Sequence, residues 1–186
     1  MNETDEEIYQ RYRAEDSDAD LEALLIRHGE GLFLFLLGFV RNPEDAEELL
    51  MDTFARLAAN KPHFDPGRPG SFRSWLYAIG RNNALMHIRK GKMATVPLDE
   101  NIASDISLPD SELLREEKNR RLYQAMRALK PEYRQALTLF YLENLSHDEI
   151  AQAMSMRVKQ VYNLLERGRK SLRKTLEGMG INDARY

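Results

Sequence analysis

The sequence predicts an all-α protein made of two small helical domains joined by a flexible acidic linker. Three observations carry that expectation. Apolar residues recur at three- and four-residue spacing along most of the chain, the period of a helix, with no run of strand-like alternation. Helix-start signals occur in both halves, at Asn42-Pro43-Glu44 and at Ser146-His147-Asp148-Glu149. Between those halves, residues 93–111 lose all periodicity and become polar and acidic, as a linker does. A chain of 186 residues has room for two such domains.

Residues 1–19 read as an acidic N-terminal tail, and residues 20–92 as the first domain. Leu21 to Val40 is apolar almost all round, which suits a helix buried among neighbours. Asn42 can cap the next helix, with Pro43 at its first position and Glu44 and Asp45 in its first turn. Ala46, Leu49, Leu50, Phe54 and Leu57 then line one face. The cluster Pro62, Pro66, Gly67, Pro69 and Gly70 marks a loop. Ser71 caps the helix that follows, whose apolar stripe is Phe72, Trp75, Leu76 and Ile79.

Residues 112–177 form the second domain and 178–186 a C-terminal tail. Asp110 can cap a helix running through Leu113, Leu114, Leu122, Met126 and Leu129. Pro131 starts another, carrying Tyr133, Ala136, Leu137, Phe140 and Tyr141. Ser146 and Glu149 have the spacing of a capping box. That short helix breaks at Ser155-Met156-Arg157, and a second begins at Val158 with Val161, Leu165, Gly168 and Leu172 facing inward. Two helices joined by a tight turn, the second basic outside, make a helix-turn-helix. Glycine often fills such a turn; Ser155 stands there and must take a tight, mildly strained conformation.

The formal net charge of −3 hides opposed blocks. Residues 1–22 and 96–117 are acidic, whereas 61–92 and 155–175 are basic. Two basic blocks fit two polyanion-facing surfaces, although solvated helix faces carry the same charges. On the last helix, Lys159, Gln160, Tyr162, Asn163, Arg167 and Lys170 point outward. Asn and Gln suit adenine in a major groove, Arg suits guanine, and Arg169, Arg173 and Lys174 suit phosphates. From Phe72 to Lys90, cations and rings interleave, and Arg73, Tyr77 and Arg81 recur every fourth residue. That combination suits unpaired bases, which rings stack and amides read. Phe72 and Trp75 read as core, so this interpretation rests on Arg81, Asn82 and Asn83. Asp45, Glu48 and Asp52 with Met51 line the outside of the helix from Pro43, fitting either a basic protein partner or a plain solvated face.

Several function classes are excluded or disfavoured. The chain has no Cys, hence no disulfide, thiol nucleophile or Cys-bound zinc. The four His are scattered without metal-ligand spacing or a catalytic arrangement, so no catalytic residue, metal or cofactor is expected. No apolar run reaches the roughly 18–20 residues a membrane span needs, and the expected location is cytoplasmic.

Two segments carry a family resemblance. Asp45-Ala46-Glu47-Glu48-Leu49, Asp52-Thr53-Phe54 and Phe72-Arg73-Ser74-Trp75-Leu76-Tyr77, then Arg81-Asn82, resemble the promoter-melting domain of bacterial RNA polymerase sigma factors. Leu129-Lys130-Pro131, Arg134 and Leu145 through Ala151 resemble their C-terminal helix-turn-helix domain. Two domains with a short linker match the extracytoplasmic-function (ECF) group. The resemblance implies that Asp45, Glu48, Leu49, Met51, Asp52 and Phe54 bind core RNA polymerase. It implies that Arg73, Tyr77, Arg81, Asn82 and Arg89 capture the melted −10 element of promoter DNA. Arg157, Lys159, Gln160, Asn163, Arg167 and Lys170 would meet the duplex −35 element. An anti-sigma factor is a further implied partner, and no membrane contact of its own is expected. Met86 stands where the family usually has Asp, so that position's −10 contact does not transfer. Lys159, Gln160, Tyr162 and Leu164 depart from the common reading-helix sequence, so no −35 preference transfers.

Overall fold

A computed structural model describes residues 3–40, 42–66, 70–94 and 124–181. All regular elements among the described residues are helical. The chain divides into two compact units, 1–107 and 108–186. Apart from residues 93 and 94, which end a helix, the expected linker 93–111 lies outside the described residues. So do Asp110, Leu113, Leu114 and Leu122 of the helix expected after it.

The first unit holds α1 (Asp5–Glu15), α2 (Asp18–Val40), α3 (Pro43–Asn60) and α4 (Phe72–Ala94). α2 runs through the middle, packed by α1, α3 and α4. Its Leu24, Leu32, Phe35 and Leu36 are fully buried, against Leu49 and Leu57 of α3 and Phe72, Leu76 and Tyr77 of α4 in the same core. Contrary to the expectation from its apolar runs, α2 is long and apolar enough to cross a membrane by length and composition alone. Here its apolar side chains fill the core of the unit instead. A Cβ on Gly80 would lie 2.9 Å from Leu32 Cδ1, so α4 approaches α2 closely and a side chain there would have to displace that methyl.

Residues 5–15 are not a tail. Thr4 and Glu7 form a capping box, and α1 buries Ile8, Tyr9 and Tyr12 in the unit's core. The acidic composition misled because its carboxylates are matched across the unit: Arg11 bridges Glu3 and Asp20, Arg27 pairs with Asp5, and Lys61 pairs with Asp16. Arg11 holds the Asp20 carboxyl below the usual carboxylate range through a hydrogen bond.

The second unit holds helical residues 124–127, α5 (Pro131–Leu137), α6 (His147–Ala153) and α7 (Val158–Gly178). The helix from Pro131 was expected to continue regularly; instead Thr138–Leu142 form a π-helical turn after Leu137. The wider turn carries Leu139 into the core and leaves Tyr141 exposed. Leu145 then donates its N–H to the Leu139 carbonyl, closing the way to α6. Val161, Leu165 and Leu172 of α7 are buried as the sequence pattern requires. Gly168 among them lets α7 sit on α5, since a Cβ there would meet Leu137 Cδ1 at 3.3 Å.

Candidate functional site

On α3, Asn42 Oδ1 accepts the Glu44 N–H at 3.1 Å and Pro43 opens the helix, as expected. Ala46, Leu49, Thr53, Phe54 and Leu57 form its buried face. Leu49 and Phe54 therefore cannot offer side chains to a partner; they hold the helix in place. The outward face carries Glu44, Glu47, Glu48, Met51 and Asp52, with Asp45 half-buried at its edge. Met51 is 52% exposed, an apolar group in a field of carboxylates.

On α4, Ser71 Oγ accepts the Ser74 N–H, which fulfils the expected cap. The fourfold stripe Arg73, Tyr77, Arg81 straddles the core boundary. Tyr77 is fully buried with its ring edge-on to Phe35 at 5.1 Å, so it is a core residue and not a base contact. Arg73 and Arg81 are half-buried, and burial lowers the Arg81 pKa. Asn83 is also buried: its amide donates to Thr53 Oγ1 at 3.0 Å, contrary to its expected exposed role. α4 exposes Asn82, Met86, Arg89 and Lys90 as a stripe at i, i+4, i+7 and i+8. Phe72 is buried and Trp75 half-buried, in an aromatic cluster with Tyr9 and Phe64.

In the second unit the capping box is realised in full: Glu149 Oε2 accepts the Ser146 N–H at 2.8 Å and Ser146 Oγ accepts the Glu149 N–H. Ser155 has φ 53°, the left-handed turn that the missing glycine foretold. Arg157, Lys159, Gln160, Asn163, Arg167 and Lys170 are all exposed on or beside α7. They are not equivalent. Gln160 Oε1 accepts the Arg157 N–H at 2.8 Å and so caps the helix it was expected to read from. Lys170 pairs with Glu166 at 2.7 Å, and Arg173 with Glu177 at 3.1 Å. Those local pairs dilute the basic face. A contact that sequence spacing could not reveal joins α6 to α7: the His147 ring stacks on Tyr162 at 4.1 Å and 14°. Arg169 lies over the Phe140 ring beside it, at 5.4 Å.

Among the described residues no cluster of acidic, His or Cys side chains could hold a metal ion. The exposed chemistry is thus an acidic face with one apolar knob on α3, an amide–cation stripe on α4 and a cationic helix-turn-helix.

These faces lie within two segments that match family models. Residues 24–93 match sigma-70 region 2, and residues 119–172 match sigma-70 region 4. The chain is 30% identical over 153 residues to the ECF RNA polymerase sigma factor SigM of Bacillus subtilis, covering 82% of this chain and 91% of that one. It is 27% identical over 156 residues to the ECF RNA polymerase sigma factor SigE of Mycolicibacterium smegmatis, covering 82% of this chain but only 60% of that longer relative. Its fold is similar to that of the sigma factor RpoE solved in complex with the anti-sigma factor NepR from Bartonella quintana. That match has a TM-score of 0.63 and 20% identity, and covers 85% of this chain and 97% of that one. The chain belongs to the ECF group of bacterial RNA polymerase sigma factors.

Proposed function

We propose that this protein binds core RNA polymerase, directs it to specific promoters and promotes strand opening, with no catalysis of its own. The observation that carries the proposal is the pairing, in one chain, of a region 2 segment and a region 4 segment that each expose chemistry suited to a different ligand. Asp45, Glu48, Met51 and Asp52 supply the polymerase-binding face, supported from beneath by Leu49 and Phe54. Arg73, Arg81, Asn82 and Arg89 engage the opened −10 strand, and Tyr77 sets the helix that carries them.

Arg157, Lys159, Asn163, Arg167 and Lys170 meet the duplex −35 element. Contacts too weak alone become adequate when polymerase presents both units to one promoter, because the second binding event is then effectively intramolecular. Promoter DNA and core polymerase place the working protein in the cytoplasm. A protein partner that masks the acidic α3 face is the natural form of control, in keeping with the RpoE relative solved with an anti-sigma factor. The test is reconstitution. Purified chain should bind core polymerase, support transcription from a selected promoter and protect its −35 and −10 elements; failure to bind core polymerase would remove this reading.

A further inference from the structure

The helix α1 makes an unusual set of long-range contacts for a segment whose sequence reads as an acidic tail. Glu6, Tyr9 and Arg13 fall at i, i+3 and i+7, on one stripe of α1. All three reach the connection between α3 and α4. Arg13 Nε donates to the Lys61 carbonyl at 3.1 Å, and Arg13 Nη1 donates to His63 Nδ1 at 3.1 Å. The Tyr9 hydroxyl donates to the Pro62 carbonyl at 2.7 Å. Glu6 Oε1 accepts the backbone N–H of Phe72 at 2.8 Å. Lys61, in the left-handed conformation that ends α3, is pinned further by Asp16 at 2.5 Å and sits over the Tyr12 ring. The Tyr9 ring packs on Phe72 at 5.0 Å and on Trp75 at 5.3 Å.

One helix therefore grips both ends of that connection. The grip at the far end is a carboxylate on the first N–H of α4, where an unpaired donor and the helix dipole both favour negative charge. Ser71 Oγ serves the Ser74 N–H three residues on, so side-chain acceptors meet the N–H groups of both Phe72 and Ser74 in the first turn of α4. Arg73 follows Phe72 directly, and the start of α4 sets where Arg73 and the stripe beyond it project.

We propose that Glu6, Tyr9 and Arg13 are positioning residues for promoter opening: α1 braces the entry of α4 so that its DNA-facing groups meet the −10 strand in one geometry. This rests on the reading that the first unit captures opened promoter DNA. The brace touches no DNA. It acts by fixing the backbone at 61, 62 and 72, upstream of the contacts.

The test uses the full chain reconstituted with core polymerase, with Glu6→Ala, Glu6→Gln and Tyr9→Phe. Gln keeps the acceptor for the Phe72 N–H, and Phe keeps the packed ring while removing only the hydroxyl. Open-complex formation is measured on a duplex promoter and on the same promoter with a mismatched, pre-opened −10 segment, beside core affinity and selection from a randomised −10 library. Glu6→Ala and Tyr9→Phe should each slow opening of the duplex promoter about 3- to 10-fold, the scale of one hydrogen bond. Base preference in the −10 library should weaken while core affinity holds, and Glu6→Gln should stay within about twofold of wild type. Variants that lose only thermal stability, with opening rate and −10 preference intact, would reduce α1 to a structural helix and overturn the inference. Wild-type protein that fails to bind core polymerase would instead overturn the reading beneath it.

Discussion

The Asn83 side-chain amide donates to Thr53 Oγ1 at 3.0 Å, a polar tie between α4 and α3 with both partners buried. Thr53 in turn donates its hydroxyl to the Leu49 carbonyl one turn back at 2.7 Å, so the three groups form a chain that fixes the orientation of the hydroxyl. Removing either end leaves the other without its partner in the core. Thr53→Val or Asn83→Ala should each cost about 1–3 kcal/mol of stability in the first unit. Replacing both by apolar residues should cost less than the sum, because no orphaned group remains. Trp75, the one tryptophan, lies in this unit and reports its unfolding by fluorescence without signal from the second. Full additivity of the two costs would show that the pair does not interact.

The two faces of α3 should separate cleanly by substitution. Leu49→Ala and Phe54→Ala empty core volume and should destabilise the unit by about 2–5 kcal/mol. Met51→Ala and Asp52→Ala touch only the exposed face and should stay within about 0.5 kcal/mol of wild type. Core polymerase affinity should behave in the opposite sense, falling for Met51→Ala and Asp52→Ala with the fold intact. An unchanged affinity in both would move the polymerase-binding face elsewhere.

Asp5 ties α1 to α2 in a pH-dependent way. Its carboxylate lies 2.9 Å from His28 Nε2 and 3.0 Å from Arg27 Nη1. The close approach of the His28 ring is the main cause that holds the Asp5 pKa down to about 2. A carboxylate lowered on folding stabilises above its unfolded pKa of about 4, and that stability is lost as pH falls through the window down to about 2. Melting temperature against pH should show wild type above Asp5→Asn at neutral pH, the two curves converging between about pH 4 and pH 2. Parallel curves through that window would show the pairing contributes nothing.

The legibility of the sequence varied with the range of the interaction. Local signals held: the Asn42 cap, the Ser146–Glu149 box, the break at Ser155 and the buried row Val161, Leu165, Gly168 and Leu172 all depend on residues within a few turns. Periodicity placed α3 correctly, with Leu49 and Phe54 on its buried face; the partner role given to them came from the family resemblance, which does not distinguish a contact from its support. Tyr77 and Asn83 were misread as exposed, because a polar atom on a stripe boundary finds its partner only when another helix arrives; for Asn83 that partner is 30 residues earlier. α1 failed for the same reason, since the groups that neutralise or use its carboxylates lie on α2 and α4 and beside α3. The π-helical turn at Thr138–Leu142 left no sequence mark of its own.

Ser155 holds φ 53° in the turn between α6 and α7, a conformation that costs an L-residue roughly 1–2 kcal/mol and glycine almost nothing. Ser155→Gly should therefore stabilise the second unit, by up to about 1 kcal/mol once the extra freedom of unfolded glycine is set against it. Ser155→Val should destabilise, since a β-branched side chain tolerates positive φ worst. Far-UV circular dichroism during thermal unfolding of the full chain measures both. No gain with glycine would mean that the turn stores no strain.

The outward residues of α7 should divide by what their side chains already do. Asn163 and Arg167 are exposed, whereas Lys170 is tied to Glu166. Asn163→Ala and Arg167→Ala should cost the holoenzyme about 1–3 kcal/mol on its preferred −35 element and relax selection at single positions there. Lys159→Ala, lacking bidentate geometry, should weaken binding across sequences and lower the salt dependence by about one counterion. Gln160→Ala should act differently from all three. Its carbonyl oxygen caps α7 through the Arg157 N–H, so the loss should be read as about 0.5–2 kcal/mol of helix stability, with base preference unmoved. Selection from a randomised −35 library by reconstituted holoenzyme, beside thermal unfolding of each variant, separates these outcomes. A change of base preference in Gln160→Ala at unchanged stability would make Gln160 a reader after all, its cap given up when DNA arrives.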